Sequence, residues 1–125
     1  MGQVADPRTI LVVEDEAFIR MSAVATLEDA GFRTLNAPNS AEALEVLSRH
    51  AEVSIMMTDV RMPGPMDGLA LVARVQIDYP AIRSIVVSSN ATAAQASKAG
   101  AFGFVAKPYL PDTIVQAVHD TVLRH

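Results

Sequence analysis

Five times along the chain, a short run rich in β-branched and apolar residues gives way to a longer segment whose apolar residues recur at helical spacing. The β-type runs fall at residues 9–14, 33–37, 54–58, 83–88 and 102–106, and the helical ones at 16–30, 40–50, 69–78, 91–99 and 112–123. Strand and helix alternating at this pace predict βα units, and right-handed crossovers then put helices on both faces of one open, doubly wound parallel sheet. The first run, Thr-Ile-Leu-Val-Val-Glu, is nearly continuous in apolar residues, as an interior strand covered on both faces must be. Ile19, Ala23, Leu27 and Ala30 form one core stripe, and Ile114, Ala117, Val118, Thr121 and Val122 another. Gly31 reads as the end of the first helix, Asn39 with Glu42 as a capping pair opening the second, and Pro80 as the close of the third.

At 125 residues the chain fits a single domain, with residues 1–7 expected as a flexible N-terminal segment. Charged residues make up 19%, and no apolar run reaches the roughly 18 residues of a membrane span. The start has no basic-then-apolar leader, so the cytoplasm is the expected location and no membrane partner is expected. The chain has no cysteine, which removes disulfides, thiolate metal sites and cysteine nucleophiles. The net charge of -4 and the lack of a basic stripe oppose direct nucleic-acid binding. His50, His119 and His125 lack a second ligand at metal-site spacing and read as surface charges.

In such sheets, ligands bind outside the carboxyl ends of the strands. The first run ends in Val-Val-Glu-Asp-Glu, the third in Met-Met-Thr-Asp and the fourth in Val-Val-Ser-Ser-Asn. Parallel strands bring these ends to one edge, where Glu14, Asp15 and Asp59 converge and Lys107, after the fifth run, joins them. Taken singly, Asp59 reads as a turn former, Glu14 and Asp15 as charges suited to a helix start, and Lys107 as a solvated surface charge. Together they repel unless a divalent cation holds them ionised, and oxygen-only ligands select magnesium, or manganese in its place, over zinc. A hard cation beside a lone aspartate and a lysine is apparatus for phosphoryl transfer.

Four ordered motifs carry a resemblance: Ile-Leu-Val-Val-Glu-Asp-Glu, Thr-Asp-Val-Arg-Met-Pro-Gly-Pro-Met-Asp-Gly, Ser-Ile-Val-Val-Ser-Ser-Asn and Lys-Ala-Gly-Ala-Phe-Gly-Phe-Val-Ala-Lys-Pro-Tyr. With these, residues 9–124 resemble a receiver domain of the bacterial two-component response regulators, of the single-domain chemotaxis-regulator type. The resemblance implies a flavodoxin-like (βα)5 three-layer sandwich with strand order 2-1-3-4-5. It implies Asp59 as the phospho-acceptor, Asp15 and Asp59 as direct magnesium ligands with the backbone carbonyl of Arg61, and Glu14 acting mostly through bound water. Lys107 would pair with Asp59 and then with the phosphoryl oxygens, before a cis peptide to Pro108. Ser88, with Ser89 as its neighbour in an ambiguous doublet, would bond the phosphoryl group, and Phe104 would be the aromatic that changes rotamer. Asp67 reads as a turn or cap residue with no catalytic role.

The implied partners are a histidine kinase or histidine phosphotransfer protein as donor. The implied output partner is a protein meeting the face of the fourth helix, fifth strand and fifth helix. Three departures stand out. The loop after Asp59 is one residue longer than the common form and the fourth helix about a turn shorter. Phe102 and Gly103 stand where many transcription-factor receivers carry two dimer-forming acids. The sequence ends at His125 soon after the fifth helix, so the expectation is either a stand-alone module or a piece of a longer protein, in both cases one that catalyses only its own phosphorylation and dephosphorylation. Two alternatives are a magnesium-dependent phosphohydrolase and a phosphorylation-independent pseudo-receiver. The hydrolase expects a second acid two residues after the nucleophile, where this chain has Arg61, and the intact set of Glu14, Asp15, Asp59 and Lys107 opposes the pseudo-receiver.

Overall fold

A computed structural model describes residues 8–123. The expected flexible segment at residues 1–7, and His125, lie outside the described residues. The elements alternate as β1 (Thr9–Val13), α1 (Ala17–Asp29), β2 (Arg33–Ala37), α2 (Ser40–Arg49), β3 (Val53–Asp59), α3 (Gly68–Asp78), β4 (Arg83–Ser88), α4 (Ala93–Ala99), β5 (Gly103–Ala106) and α5 (Pro111–Leu123). The five strands pair in parallel in the order β2-β1-β3-β4-β5, the expected doubly wound topology.

Side chains alternate across a strand, so β1 feeds two cores at once. Leu11 and Val13 point into a cluster with Met56, Val86 and the inner faces of α2 and α3, to which α4 adds Ala96. Ile10 and Val12 point the other way, packing with Met57, Ile85 and Val105 under Ala23, Val24 and Leu27 of α1 and Ile114 and Val118 of α5. Each fully buried leucine, isoleucine or valine here contributes about 1.5–3 kcal/mol through removal of apolar surface from water. The α1 stripe is rotated slightly from the sequence reading. Val24 is buried, while Ala30 is exposed because it sits past the last helical residue as the C-cap.

Local chemistry sets the boundaries. Asn39 accepts from the Glu42 N–H at 2.8 Å and its amide donates to the Glu42 carboxylate at 3.1 Å, opening α2. Asp67 accepts from the Ala70 N–H at 2.9 Å and caps α3. The fourth helix starts two residues later than its sequence pattern, because Thr92 is extended and forms a reciprocal cap with Gln95. Pro111 takes the first position of α5, where a missing N–H costs nothing.

Register positions the functional edge. Val13 lies opposite Thr58, so Glu14 and Asp59, each one residue further on, emerge side by side. Asp59 lies opposite Val87 and Ser88 opposite Ala106, which brings Ser88 and Lys107 to the same edge. The loop from Asp59 into α3 doubles back so tightly that the Gly68 N–H donates to the Val60 carbonyl at 2.8 Å. A Cβ on Gly68 would lie 1.9 Å from the Asp59 carbonyl oxygen and 2.8 Å from the Val60 Cα, both backbone atoms. Gly68→Ala should therefore push the end of β3 away from α3, lowering the urea-unfolding free energy by about 1–3 kcal/mol. An unchanged unfolding midpoint would show that this contact relaxes freely.

Candidate functional site

The side chains that the sequence places at the carboxyl edge do meet. Glu14 is 5% exposed, although it carries a charge, so it needs partners. One carboxylate oxygen accepts from Lys107 Nζ at 2.9 Å and the other from the Glu16 N–H at 3.0 Å. Lys107 Nζ also lies 3.2 Å from Asp59 Oδ2, and the Val60 N–H donates to Asp59 Oδ1 at 2.8 Å. Asp59 is half-buried and Asp15 exposed, and carboxylate oxygens of Glu14, Asp15 and Asp59 come within 4.8 Å of one another. An open cleft of about 430 Å³, lined by Asp15, Val60, Arg61, Met62, Pro63 and Asp67, gives solvent access beside them.

The electrostatics are unbalanced: three carboxylates face one ammonium. Burial pushes the Glu14 carboxyl above the ordinary glutamate range, and its bonds to Lys107 and the Glu16 N–H offset that only in part. Burial works to lower the Lys107 ammonium, but the hydrogen bond to Glu14 and the charge of Asp59 outweigh it, and the net direction is upward. Both partners of the ion pair thus hold protons more tightly than usual. Burial accounts for the direction at Glu14 and the neighbouring carboxylates for that at Lys107. Three carboxylates facing one ammonium form a set of oxygen donors that suits a hard divalent cation.

The phosphoryl-facing candidates sit where the strand ends put them. Ser88 is buried and its Oγ accepts from the Asn90 and Ala91 N–H groups at 3.1 and 3.0 Å, leaving its own proton to offer. Ser89 is exposed in the loop. The Lys107 N–H donates to the Ser88 carbonyl at 2.9 Å, tying the two strand ends together, and the Lys107–Pro108 peptide is cis. Phe104 is half-buried against the cluster formed with α2, α3 and α4.

Three residues that the sequence reading left without a role support this edge. Gly68 is required by the close approach described above. Arg20 donates from Nη1 to the Glu14 carbonyl at 2.9 Å and from Nε to Asn36 Oδ1 at 3.0 Å. Asn90, with its carboxamide oxygen turned inward, accepts from Arg61 Nε and Nη2 at 3.1 and 3.2 Å.

Comparison with known proteins agrees with this geometry. The family model described as response regulator receiver domain matches residues 10–119. The chain is 36% identical over 112 residues to the C4-dicarboxylate transport transcriptional regulatory protein of Rhizobium meliloti, covering 87% of this chain and 24% of that protein. It is 39% identical over 105 residues to the sensor kinase CckA of Brucella abortus, covering 81% of this chain and 11% of that one. The chain therefore spans about a quarter or less of the length of these relatives. A response regulator receiver protein from Pseudomonas putida superposes with a TM-score of 0.84 at 28% identity, covering 94% of this chain and 99% of that one. With the parallel 2-1-3-4-5 sheet and a family match across nearly all the described residues, this chain belongs to the response regulator receiver domains.

Proposed function

We propose that the chain is a phospho-accepting signalling module. Asp59 takes a phosphoryl group from a phosphohistidine on a histidine kinase or histidine phosphotransfer protein, and the aspartyl phosphate then shifts a protein-binding face. The observation that carries this reading is Asp59 itself, a strand-end carboxylate beside an open cleft, sharing one ammonium with a buried acid. An Asp59 oxygen attacks phosphorus, a P–O bond forms as the P–N bond breaks, and the electron pair leaves on the imidazole nitrogen. The Val60 N–H fixes the rotation of the carboxylate, and Lys107 stands ready to bond the incoming phosphoryl oxygens.

Glu14, Asp15, Asp59 and the Arg61 carbonyl would hold Mg2+, or Mn2+ in its place. When bound, the cation supplies positive charge to the equatorial phosphoryl oxygens. The module acts on no substrate beyond its own phosphorylation and dephosphorylation. Arg61 supports this over the phosphohydrolase reading, since the position two residues after Asp59 then carries no carboxylic acid to act as general acid. A cytoplasmic site follows from a phosphohistidine donor, and no helix among the described residues is long and apolar enough to cross a membrane.

With phosphoramidate or acetyl phosphate and Mg2+, intact-mass measurement should show one added phosphoryl group, and Asp59→Asn should lose it. Full labelling of Asp59→Asn would sink the assignment.

Acid linkage gives an independent check on the buried carboxyl. An acid whose pKa is higher folded than unfolded contributes its stability below the unfolded value, and loses it as pH rises through the folded one. For Glu14 that window opens at about 4.5 and extends upward. The same sign for Lys107 keeps its contribution intact through neutral pH, to be lost only above about 10.5. In the metal-free protein, Glu14→Gln should therefore flatten the decline in urea-unfolding free energy as pH rises from about 4.5. Parallel wild-type and variant curves would mean that Glu14 is not the group titrating.

The output side should respond most. Bonds from Ser88 and Lys107 to a new anion are worth about 1.5–3 kcal/mol each, enough to make a minor conformation the major one. α4 buries only Ala96 and so is lightly anchored, and Phe104 moving inward beside it would reshape the face of α4, β5 and α5. Amide exchange with and without the phosphoryl mimic beryllofluoride should change more across residues 91–104 than across α2. Equal changes would rule out this face as the switch.

A further inference from the structure

We propose that Arg20 is a positioning residue for the cation site: it fixes the peptide plane that joins Glu14 to Asp15. This rests on the functional reading above. The two acids lie in the short connection between Val13 and Ala17, outside any regular element, so their carboxylates aim correctly only if that connection is held. On one side, the Glu14 N–H donates to the Ala37 carbonyl at 3.1 Å. On the other, the Glu14 carbonyl, which belongs to the same peptide group as the Asp15 N–H, accepts from Arg20 Nη1 at 2.9 Å. Arg20 is itself anchored, because its Nε donates to Asn36 Oδ1 at 3.0 Å and Asn36 directly precedes Ala37. Its own N–H donates to the Glu16 carbonyl at 2.9 Å in the first turn of α1.

The arrangement closes a ring through one residue: the guanidinium of Arg20 joins the ends of β1 and β2, and its backbone N–H ties it to the start of α1. A guanidinium suits this task because its donors diverge in a fixed plane, so one group can bond a backbone carbonyl and a carboxamide at once. A lysine keeps the charge but not the fork.

Charge and position make opposite predictions, which is what makes the proposal testable. Arg20 places a positive charge next to a site built for a cation, so as a mere charge it opposes Mg2+, and removing it should tighten binding. As a positioning residue it organises the ligands, and removing it should weaken binding by about tenfold, as loss of an outer-shell partner does. Titration calorimetry with Mg2+ on the wild type, Arg20→Ala, Arg20→Lys and Asn36→Ala separates the two. The expected result is weaker binding in all three variants. Asn36→Ala, an exposed site where the charge of Arg20 is untouched, should show the smaller loss in the same direction, and Asn36→Asp, which keeps an oxygen acceptor, should restore affinity.

A second readout needs no metal. Exchange of the Glu14 and Glu16 amides should speed up in Arg20→Ala and Asn36→Ala, while amides in β4 keep wild-type rates. Mg2+ binding in the variants equal to or tighter than wild type, with unchanged exchange at Glu14 and Glu16, would overturn the role of Arg20 while leaving the functional reading intact. A wild-type protein that takes up no Mg2+ would overturn the functional reading, and the positioning role with it.

Discussion

A single ammonium group, that of Lys107, stands between the carboxylates of Glu14 and Asp59 at 2.9 and 3.2 Å, while Asp15 adds a third negative charge to the same edge. A balanced pair would lower the pKa of the acid and raise that of the base. Here both rise, because the desolvated Glu14 is only partly compensated and the one cation answers to two acids. Breaking such a half-buried pair by removing one partner leaves an uncompensated charge, so Lys107 holds this acidic edge together. The surplus negative charge that remains is the physical reason that Glu14, Asp15 and Asp59 could hold a divalent cation.

That edge exists only because the sheet is parallel and its register is fixed. Val13 opposite Thr58 and Asp59 opposite Val87 deliver the charged residues to neighbouring positions at the carboxyl ends, and a one-residue slip on β1 would turn Leu11 and Val13 out of their core. The packing that buries the two apolar faces therefore also sets the distances at the site. Gly68 extends the same logic beyond the strands: the loop must turn back within contact of the Asp59 carbonyl, and only a residue without Cβ leaves room.

Much of this was legible in the sequence because strand period and turn chemistry are local signals. The five βα units, the Asn39 cap, the Asp67 cap and the convergence of Glu14, Asp15, Asp59 and Lys107 follow from patterns of a few residues and the rule that parallel strands share one carboxyl edge. The first turn of α4 departs from the sequence pattern because Ala91 and Thr92 have no helix-breaking side chain to mark the boundary. The reciprocal cap with Gln95 that ends the extended segment competes with, and wins over, weak local propensity. Arg20 and Gly68 were not legible for a different reason. Their roles depend on which backbone atoms lie within about 3 Å of them in space, and no periodicity encodes that.

The supports around Asp59 are also unequal on its two sides. Towards β1 and β2, Glu14 is held through its N–H, its carbonyl and both carboxylate oxygens, by Ala37, Arg20, Lys107 and Glu16. Towards β4 and β5, the Ser88 hydroxyl supports only the turn at Asn90 and Ala91, the following helix buries one alanine, and Phe104 is half-buried. A negative group added at Asp59 would therefore find its cation side already fixed and its hydroxyl side free to close. In a close-packed molecule, displacement is taken up where the fewest contacts resist it. The asymmetry would give the proposed switch its direction: the acidic side would keep its geometry and the β4–β5 side would move.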